Sequence, residues 1–275
     1  MEADLAPDCE DLTVSAKHPR TVAITGAGSG IGRGIAVAFV AAGYDVYASD
    51  ISAERLAETV RELGRPDALH TSTVDVSRAE EVADFVALAA SATGTLDVMV
   101  NCAGVFDGYA DILETTPELW NRVIGINLTG AFHGCRAAAQ RMIAQRHGRI
   151  ITLGSVAGQR GAADGLAYVT SKAGIEGMNR RLAIDVGPHN VTANVVAPGV
   201  IRTNLRATSE ELLGDLVSSQ QRGIGVSPEV MDFLIPAHRS AAPSEVAGLV
   251  VFLASDLAGY INGQVIAVDG GWTAT

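Results

Sequence analysis

A tyrosine and a lysine lie four residues apart in the stretch AYVTSK, at Tyr168 and Lys172. In an α-helix this spacing puts both side chains on one face, one turn apart. A phenol is a poor acid–base catalyst because its reference pKa is about 10, and a neighbouring ammonium lowers that pKa by favouring the phenolate. The pair therefore predicts a proton-transfer site, although an accidental pair on a surface helix has the same spacing.

Lysine is rare in this chain. Lys172 and Lys17 are the only two lysines, against eighteen arginines. A guanidinium is a wide planar fork, whereas a compact ammonium fits between a phenol and the hydroxyls of a ribose. The lysine in AYVTSK is therefore explained better by geometry than by charge alone.

Two further polar residues extend the pair. Ser155 lies 13 residues before Tyr168, at the end of a predicted strand, where its hydroxyl could bind a substrate carbonyl oxygen. The alternative is an ordinary serine in the turn GSVAG. Asn127, in INLTG, lies inside a long predicted helix, where asparagine is unfavourable unless its side chain bonds locally or serves a site. There it could hold a water against Lys172.

The glycine-rich stretch TGAGSGIG, residues 25–32, follows the first predicted strand and opens a helix. Glycines permit a tight turn and let backbone N–H groups approach a diphosphate at the positive helix N-terminus. The spacing Gly26-x-x-x-Gly30-x-Gly32 departs from strict GxGxxG, and a turn that only packs the helix against the strand is the alternative. Its position between a strand and an amphipathic helix favours dinucleotide binding.

Asp50 ends the second predicted strand, 20 residues after Gly30. A carboxylate there can accept hydrogen bonds from both ribose hydroxyls and repels a 2′-phosphate. The alternative is a loop aspartate ahead of Ser52, a candidate helix N-cap. Ser29 and Ile51 supply no cation for a 2′-phosphate, so NAD is predicted rather than NADP.

Two later strand ends complete the predicted nucleotide site. Asp75 and Val76 are expected to border the adenine, although Asp75 could instead lead into a helix cap formed by Ser77 and Glu80. The stretch NCAG, 101–104, brings small residues against the nucleotide.

Along the chain as a whole, short apolar runs alternate with stretches of helical periodicity. The strands are predicted at 21–25, 45–49, 69–74, 96–100, 149–154, 190–197 and 264–268. Helices are predicted at 34–43, 54–63, 79–91, about 117–146, about 166–186 and 243–255. Repeated β–α units with continuous apolar strands predict an α/β fold with a doubly wound parallel sheet. The carboxyl ends of such strands share one edge, where ligands bind.

Two segments do not follow this rhythm. Residues 1–19 are acidic, lack an apolar core and are predicted to be a flexible extension of a domain spanning 20–275. Residues 204–240 mix helical fragments with glycines and prolines, which favours a substrate flap. Its apolar side chains and scarce charges suggest an apolar or cyclic substrate, although the same pattern fits helices packed on the body.

The composition limits the classes of partner that are expected for this protein. The net charge is −11 and the pI is near 4.9, which disfavours nucleic acid and anionic membranes. The three cysteines are unpatterned and the histidines lack ligand spacing, so no metal site is predicted. With no apolar run of bilayer length and no secretory signal, a cytoplasmic protein is expected.

From about residue 20 to its end the sequence resembles the short-chain dehydrogenase/reductase family. TGAGSGIG, the Asp50 position, Asp75-Val76, NCAG, Asn127, Ser155, YVTSK, PGVIRT (198–203) and the VDGG end (268–271) carry the resemblance. NCAG departs from the commoner NNAG of that family by a thiol of similar packing.

The resemblance implies a seven-stranded Rossmann-type sheet and a catalytic group of Asn127, Ser155, Tyr168 and Lys172. It also implies that Ile201 and Thr203 touch the nicotinamide end, and that a homotetramer, or a dimer, forms through two long helices. Together the motifs and the resemblance predict a nucleotide site of Gly26, Ser29, Gly30, Ile31, Asp50, Ile51, Asp75, Val76, Asn101, Ala103, Gly104, Tyr168, Lys172, Pro198, Gly199, Ile201 and Thr203.

The predicted activity is reversible hydride transfer between NAD and a secondary alcohol or ketone. A 3-oxoacyl thioester reductase is the nearest alternative, although biosynthetic members of that group mostly use NADPH. Dehydrogenation of a sugar or polyol is a second alternative. A dinucleotide sensor without catalysis would be expected to lack Ser155, Tyr168 or Lys172, and all three are present.

Overall fold

The computed structural model describes residues 20–64, 66–161, 164–217 and 233–274. The predicted extension at 1–19 lies outside the described residues, as does the part of the predicted flap at 218–232.

Parallel strands form the centre of the molecule. Within the described ranges they are β1 (Thr21–Thr25), β2 (Asp45–Asp50), β3 (Leu69–Thr73), β4 (Val98–Asn101), β5 (Gly148–Leu153), β6 (Val191–Pro198) and β7 (Val265–Val268). They form one sheet in the order β3-β2-β1-β4-β5-β6-β7, and every neighbouring pair is parallel. The order reverses between β1 and β4, where a crevice opens above the strand ends. The predicted doubly wound, seven-stranded Rossmann-type sheet is confirmed.

Helices cover both faces of the sheet. They are α1 (Gly30–Ala41), α2 (Ala53–Leu63), α3 (Ala79–Thr93), α4 (Pro117–Ile124), α5 (Gly130–Gln145), α6 (Leu166–Val186), α7 (Leu205–Leu213) and α8 (Pro243–Ala254). None of the described helices is long and apolar enough to cross a membrane.

Successive residues of β1 explain why its sequence is continuously apolar. Val22 and Ile24 pack with Phe39 of α1 and the apolar residues of α8 on one face. Ala23, between them, belongs to the opposite cluster with Phe85 of α3 and Met142 of α5. Both faces are thus buried, as in a parallel sheet covered by helices on two sides.

The structure differs from the predicted elements at three places. β4 begins at Val98 rather than at 96, because the Asp97 side chain and backbone bond Thr21 at the start of β1. α1 begins at Gly30, inside the glycine-rich stretch rather than after it. The long fourth helix is present, but residues Gly125–Thr129 form one π-helical turn between α4 and α5. Such turns occur often at functional sites, and this one contains Asn127.

Candidate active site

A cleft of about 1170 Å³, including its open mouth, lies above the carboxyl ends of the strands. Most of the predicted nucleotide-site residues line it: Gly26, Ser29, Gly30, Ile31, Asp50, Ile51, Asp75, Val76, Ala103, Gly104, Tyr168, Lys172, Pro198 and Thr203. The sheet topology therefore brings residues from distant parts of the sequence into one place.

The glycine-rich turn is shaped by contacts that a side chain would prevent. Gly26 has φ +70°, and a Cβ on it would lie 2.6 Å from Cα of Ala103. Gly30 has φ +51°, and a Cβ there would lie 3.2 Å from the Thr203 side chain. Ser29 is the N-cap of α1 and makes no side-chain capping bond. The N-terminus of a twelve-residue helix thus borders the cleft, as a diphosphate site requires.

Asp50 is held by several donors at the end of β2. Its Oδ2 accepts a hydrogen bond from the Gly28 backbone N–H at 3.1 Å, and its Oδ1 accepts one from Ser52 N–H at 3.0 Å. Arg55 of α2 also lines the cleft, and its Nη2 lies 3.0 Å from Asp50 Oδ1. Ser52 is indeed the N-cap of α2, because its hydroxyl accepts from Arg55 N–H. The predicted ribose carboxylate is therefore partly neutralised by a cation that the sequence analysis missed.

Asp75 organises its own turn, and the predicted capping box is wrong. Asp75 Oδ1 accepts hydrogen bonds from the backbone N–H and the hydroxyl of Ser77, at 2.9 and 2.7 Å. Its own N–H donates to Glu81 at 2.9 Å. Arg78, not Ser77, is the N-cap of α3 and makes no side-chain capping bond. Ser77 cannot cap the helix because its hydroxyl bonds back to Asp75.

Three predicted nucleotide residues do not line the cleft. The Asn101 side chain points beneath the sheet edge, where its Nδ2 donates to Cys135 and Thr152, both at 3.3 Å. Gly199 packs against Asp269 and donates its N–H to Val268. Ile201 packs against the apolar core and pairs with Ala241 in an isolated bridge. Each serves packing between segments in this structure, so their predicted contacts remain predictions.

Of the predicted catalytic residues, Tyr168 and Lys172 line the cleft, and Ser155 and Asn127 are buried beside it. The Ser155 side chain lies close enough to the Tyr168 phenol to lower its pKa. The Lys172 ammonium lies 5.5 Å from the centroid of the Tyr168 ring and donates to the Leu153 carbonyl at 2.9 Å. Both α6 residues are buried on the same helix face, as the four-residue spacing predicts.

The pKa of the Tyr168 phenol is shifted in the direction opposite to the one expected from the sequence. From the sequence, Lys172 is expected to lower it, whereas burial is the largest influence and raises the pKa, with Asp164 adding to the rise. The Ser155 hydrogen bond acts in the lowering direction. Burial also lowers the pKa of Lys172 to about 8, because the charged form loses its hydration. Burial thus shifts both groups towards their neutral forms.

Asn127 satisfies its polar side chain locally and adjoins the site. Its Oδ1 accepts from Val105 N–H at 2.8 Å, and its Nδ2 donates to the Val105 carbonyl at 2.9 Å and to Ser171 at 3.1 Å. A Cβ on Gly104 would lie 3.3 Å from Asn127 Oδ1 and 3.7 Å from Lys172 Nζ. Asn127 therefore clamps the loop after β4 beside the Lys172 ammonium.

A second group of residues surrounds Tyr168 and was not predicted. The Phe106 ring lies edge-on to Tyr109 and to Tyr168, with centroids 4.9 and 5.5 Å apart. The Arg206 guanidinium lies over Phe106 and Tyr109, at 5.4 and 5.2 Å from their centroids. Asp164 is hydrogen-bonded to Tyr109, and burial raises its pKa to about 7.

Helix α7 forms part of the cleft wall. Leu205, Thr208 and Leu212 line the cleft from this helix, inside the predicted flap. The sequence carried only a weak signal for these residues and for the group around Tyr168, because they lie in irregular segments whose partners are far away in the sequence. Arg55 follows the Ser52 cap by three residues, so its helical register is the one signal that could have placed it near Asp50.

This arrangement is chemically suited to proton transfer beside a cleft that a helix N-terminus borders. Tyr168 can exchange a proton with a substrate oxygen, Ser155 can bind that oxygen, and Lys172 can donate to ribose hydroxyls. Among the described residues there is no group of three or more His, Cys, Asp or Glu side chains placed to hold a metal ion.

Comparison with known proteins gives consistent results. The family model described as Enoyl-(Acyl carrier protein) reductase matches residues 26–273. The chain is 32% identical over 257 residues to 3beta-hydroxysteroid dehydrogenase 2 of Eggerthella lenta, covering 93% of this chain and 95% of that protein. It is 38% identical over 262 residues to the 3-oxoacyl-[acyl-carrier-protein] reductase MabA of Mycobacterium bovis, covering 94% and 96%.

A third relative and a solved structure extend the comparison. The chain is 34% identical to D-beta-hydroxybutyrate dehydrogenase of Cupriavidus necator, covering 93% of this chain and 98% of that one. The crystal structure of levodione reductase is similar with a TM-score of 0.82 at 31% identity, covering 93% of this chain and 98% of that chain. These relatives differ in the molecules they are named for and share alcohol–ketone chemistry.

Proposed function

This chain belongs to the short-chain dehydrogenase/reductase family, and we propose that it transfers a hydride reversibly between NAD and an apolar or cyclic secondary alcohol or ketone. Its class is an oxidoreductase of CH–OH groups that uses a nicotinamide dinucleotide. The preference for NAD, the substrate class and the roles of individual residues are the parts that we propose.

One observation carries the proposal: Tyr168 and Lys172, with Ser155 beside them, lie at a cleft that is also bordered by a glycine-rich helix N-terminus. The Ser155 side chain acts on the pKa of the Tyr168 phenol, and Lys172 lies on the same helix face as Tyr168. A dinucleotide sensor has no use for a buried phenol beside a serine hydroxyl and an ammonium. The turn at Gly26 and Gly30 fits a dinucleotide because it packs closely against Ala103 and Thr203 and leaves the N-terminus of α1 at the cleft.

The chain's own residues then have distinct roles. In the oxidation direction Tyr168, as phenolate, accepts the hydroxyl proton of the alcohol while Ser155 holds the alcohol oxygen. The dinucleotide, when bound, supplies the acceptor for the hydride that leaves the carbinol carbon. Lys172 donates to ribose hydroxyls and stabilises the phenolate, and Asn127 holds the loop that borders Lys172. In the reduction direction Tyr168 returns the proton to the carbonyl oxygen.

NAD is the proposed cofactor because Asp50 lies where the adenosine ribose would bind. A carboxylate there accepts from ribose hydroxyls and repels a 2′-phosphate. Arg55 works in the opposite direction, since a guanidinium can pair with a 2′-phosphate. Because Asp50 also receives Gly28 and Ser52 N–H groups, its charge is held in place at the ribose position. We therefore expect NAD to be preferred, with NADP used more weakly rather than rejected.

The substrate is proposed to be apolar or cyclic because α7 presents Leu205 and Leu212 to the cleft. In this proposal residues 20–275 form one catalytic domain, with about 204–240 as its substrate flap. A 3-oxoacyl thioester is the second candidate, favoured by the 38% identity to MabA and by the cation Arg55, which suits NADPH. Arg206 and Asp164 near Tyr168 would favour a polar substituent on either substrate.

We also propose that the chain forms a homotetramer, or a dimer, through its long helices. The α4–α5 segment and α6 expose Phe132 and Ile184, which are 48% and 67% exposed. Large apolar side chains exposed on two long helices are typical of an interface. Sedimentation velocity on the wild-type chain and on a Phe132→Glu, Ile184→Glu double variant measures the assembly directly.

A cofactor-by-substrate panel tests the activity. Purified protein is assayed with NADH and NADPH against cyclic ketones, 3-oxoacyl thioesters and ketoses, and with NAD and NADP against the matching alcohols. The proposal expects the highest kcat/KM for NADH with a cyclic or apolar ketone. Preference for 3-oxoacyl thioesters with NADPH would select the second candidate, whereas silence across the panel with tight NADH binding would select a sensor.

The variant Tyr168→Phe tests the assignment of the phenol. It removes the proton-transferring hydroxyl and keeps the ring that packs against Phe106. We expect turnover to fall by about 10²–10⁴-fold while the Kd for NADH, measured by fluorescence, stays unchanged. Near wild-type turnover in this variant would contradict the mechanism.

A further inference from the structure

A buried aspartate outside the predicted catalytic group touches the helix that carries Tyr168. Asp107, in the loop after β4, has no solvent exposure. Its Oδ2 accepts a hydrogen bond from the Tyr168 backbone N–H at 2.8 Å, across 61 residues of sequence. Its Oδ1 has no hydrogen-bond partner among the described residues. Burial raises the pKa of this carboxyl, and backbone N–H groups that donate to it compensate part of that effect.

The compensation comes from the first turn of α6. The N-cap of this helix is Gly165, which has no side chain with which to cap the free N–H groups. Asp107 takes that role for Tyr168, the third residue of the helix, and Leu166 N–H donates to Ala110 in the same loop. The carboxylate also lies at the positive end of a 21-residue helix, where negative charge is favoured.

Gly165 is adapted to this contact. A Cβ at Gly165 would lie 2.3 Å from Asp107 Oδ1 and 2.7 Å from the Ala110 nitrogen. Its φ of −75° and ψ of 169° are open to any residue, so backbone conformation does not demand glycine here. Glycine is needed because the carboxylate occupies the space of a side chain.

The loop that carries Asp107 is itself fixed on the cofactor side. Asn127 binds both the N–H and the carbonyl of Val105, and Ser209 of α7 accepts from Phe106 N–H at 2.8 Å. The same loop begins at Ala103 and Gly104, which line the cleft. Asp107 thus connects the segment predicted to contact the nucleotide with the first turn of the catalytic helix.

We propose that Asp107 is a positioning residue, which fixes the Tyr168 phenol relative to the nucleotide loop through the Tyr168 backbone N–H. This inference rests on the proposed function, because it assigns Asp107 a role in that reaction. Displacement of a catalytic group by about 1 Å can cost about 10²-fold in rate, so a rigid link of this kind affects turnover rather than substrate binding. Asp107 itself touches neither the substrate oxygen nor the reacting carbon.

The charge of Asp107 adds a second, separable effect. Several titratable and polar groups face the Tyr168 phenol: Asp107 and Tyr109 from the loop after β4, Asp164 from the segment before α6, Ser155 after β5, and Lys172 on α6. Asp107 raises the phenol pKa, so loss of its charge lowers that pKa. Because oxidation needs the phenolate, its pH–rate profile then moves to lower pH.

The test compares Asp107→Asn, Asp107→Ala and Gly165→Ala with a matched control, Asp111→Asn. Asp111 caps Leu113 and Glu114 in the exposed part of the same loop. We expect kcat to fall about tenfold in D107N and about 10²-fold in D107A and G165A, with KM for both substrates within about twofold. D111N should keep the wild-type kcat and pH profile.

A second readout does not require activity. The chain has five tyrosines, so ¹⁵N-tyrosine labelling gives a spectrum of five amides in which Tyr168→Phe identifies one. Hydrogen exchange of the Tyr168 amide should accelerate at least tenfold in D107A and G165A and stay slow in D111N. Thermal unfolding of every variant gives the folded fraction by which kcat is corrected.

Each outcome decides the proposal. A fall in corrected kcat at constant KM, with an acid-shifted profile in D107N and faster Tyr168 amide exchange in D107A, supports it. Wild-type corrected kcat in D107A and G165A overturns it, as does a loss that appears only in KM. If the wild-type protein is inactive on every substrate, the proposed function fails, whereas the amide exchange still shows whether Asp107 holds Tyr168.

Discussion

The two edges of the same sheet treat charge in opposite ways. At the amino edge, Asp256 pairs with both Arg20 and Arg149, and Asp97 accepts from Thr21 N–H at 2.8 Å while lying 3.6 Å from His147. At the carboxyl edge, Lys172 is buried and has no carboxylate within 4 Å among the described residues. The amino edge pairs its charges, whereas the carboxyl edge pairs Arg55 with Asp50 and leaves the buried Lys172 without a carboxylate partner among the described residues.

The difference shows what each edge does. Paired groups at the amino edge join the starts of β1, β4 and β5 to the segment after α8. At the carboxyl edge, burial raises the Tyr168 pKa and lowers the Lys172 pKa, so both groups are held in an unfavourable environment. Sites that keep such groups sacrifice stability for function. Mutations at the two edges should therefore separate activity from stability.

The largest expected effect is that of Lys172→Met, which removes the buried cation of the carboxyl edge. Methionine fills a similar volume without a charge, so turnover should fall by about 10²–10⁴-fold. The melting temperature at pH 7 should not fall, because the cost of burying an ammonium is removed with it. Steady-state kinetics and thermal unfolding measure the two effects on the same sample.

The pH dependence of stability tests whether burial of the Lys172 ammonium causes this effect. The pKa of Lys172 in the folded chain is lowered to about 8, below its unfolded value, so the folded state binds fewer protons between these pH values. The wild-type chain therefore gains stability as pH rises from 8 towards 10, whereas K172M lacks this gain. As a control, Arg149→Met removes a buried cation from the amino edge and should keep the wild-type kcat. A large drop in melting temperature in K172M would contradict the comparison.

The next largest effect concerns the ribose end of the cleft. Asp50→Asn removes the charge that repels a 2′-phosphate and frees Arg55, whose Nη1 also pairs with Glu211 at 2.9 Å. We expect kcat/KM with NAD to fall about tenfold, or about 1.4 kcal/mol, and kcat/KM with NADP to rise. Arg55→Met is the matched variant, and it should lower the use of NADP while sparing NAD. Equal effects of D50N on both cofactors would refute the role of its charge.

The features that were predicted correctly from the sequence are periodic or depend on residues nearby in the chain. All seven strands were located within two residues at each end, because their apolar runs and turn residues are local signals. Tyr168 and Lys172 share a helix face because the α-helical period fixes that relation. Gly26, Asp50 and Asp75 reached one cleft because parallel strands align their carboxyl ends.

Features that depend on distant partners were not predicted. Arg55 faces Asp50 through an ion pair shared with Glu211, which lies 156 residues further along the chain. Asn101 points under the sheet because Cys135 and Thr152 offer it partners there. The raised Tyr168 pKa depends on burial and on Asp164, neither of which the spacing of YVTSK contains. Tertiary packing decided each of these.

A smaller effect is expected when an ion pair at the amino edge is removed. Asp256→Asn removes the carboxylate that pairs with both Arg20 and Arg149, and Arg149 is almost fully buried. Because Asp256 is itself half-exposed, we expect a loss of about 1–2 kcal/mol in the free energy of unfolding rather than the larger cost of a buried pair. The control is Asp185→Asn, whose partner Arg181 is exposed on α6 and whose loss should cost less than about 0.5 kcal/mol. Urea unfolding measures both, and kcat should not change in either variant.

The smallest expected effect concerns the pH dependence of stability at the amino edge. Burial, with Arg149 nearby, lowers the pKa of His147, so the folded chain binds a proton less readily than the unfolded chain. Stability is therefore retained above the unfolded pKa of about 6.5 and declines as the pH falls through the lowered folded pKa. His147→Gln should reduce the stability loss between pH 7.5 and 5 by less than about 1 kcal/mol, since Asp97 and solvent offset part of the cost. A steeper acid loss in H147Q would mean that the Asp97 pair outweighs burial, and that this edge is stabilised by a charged histidine.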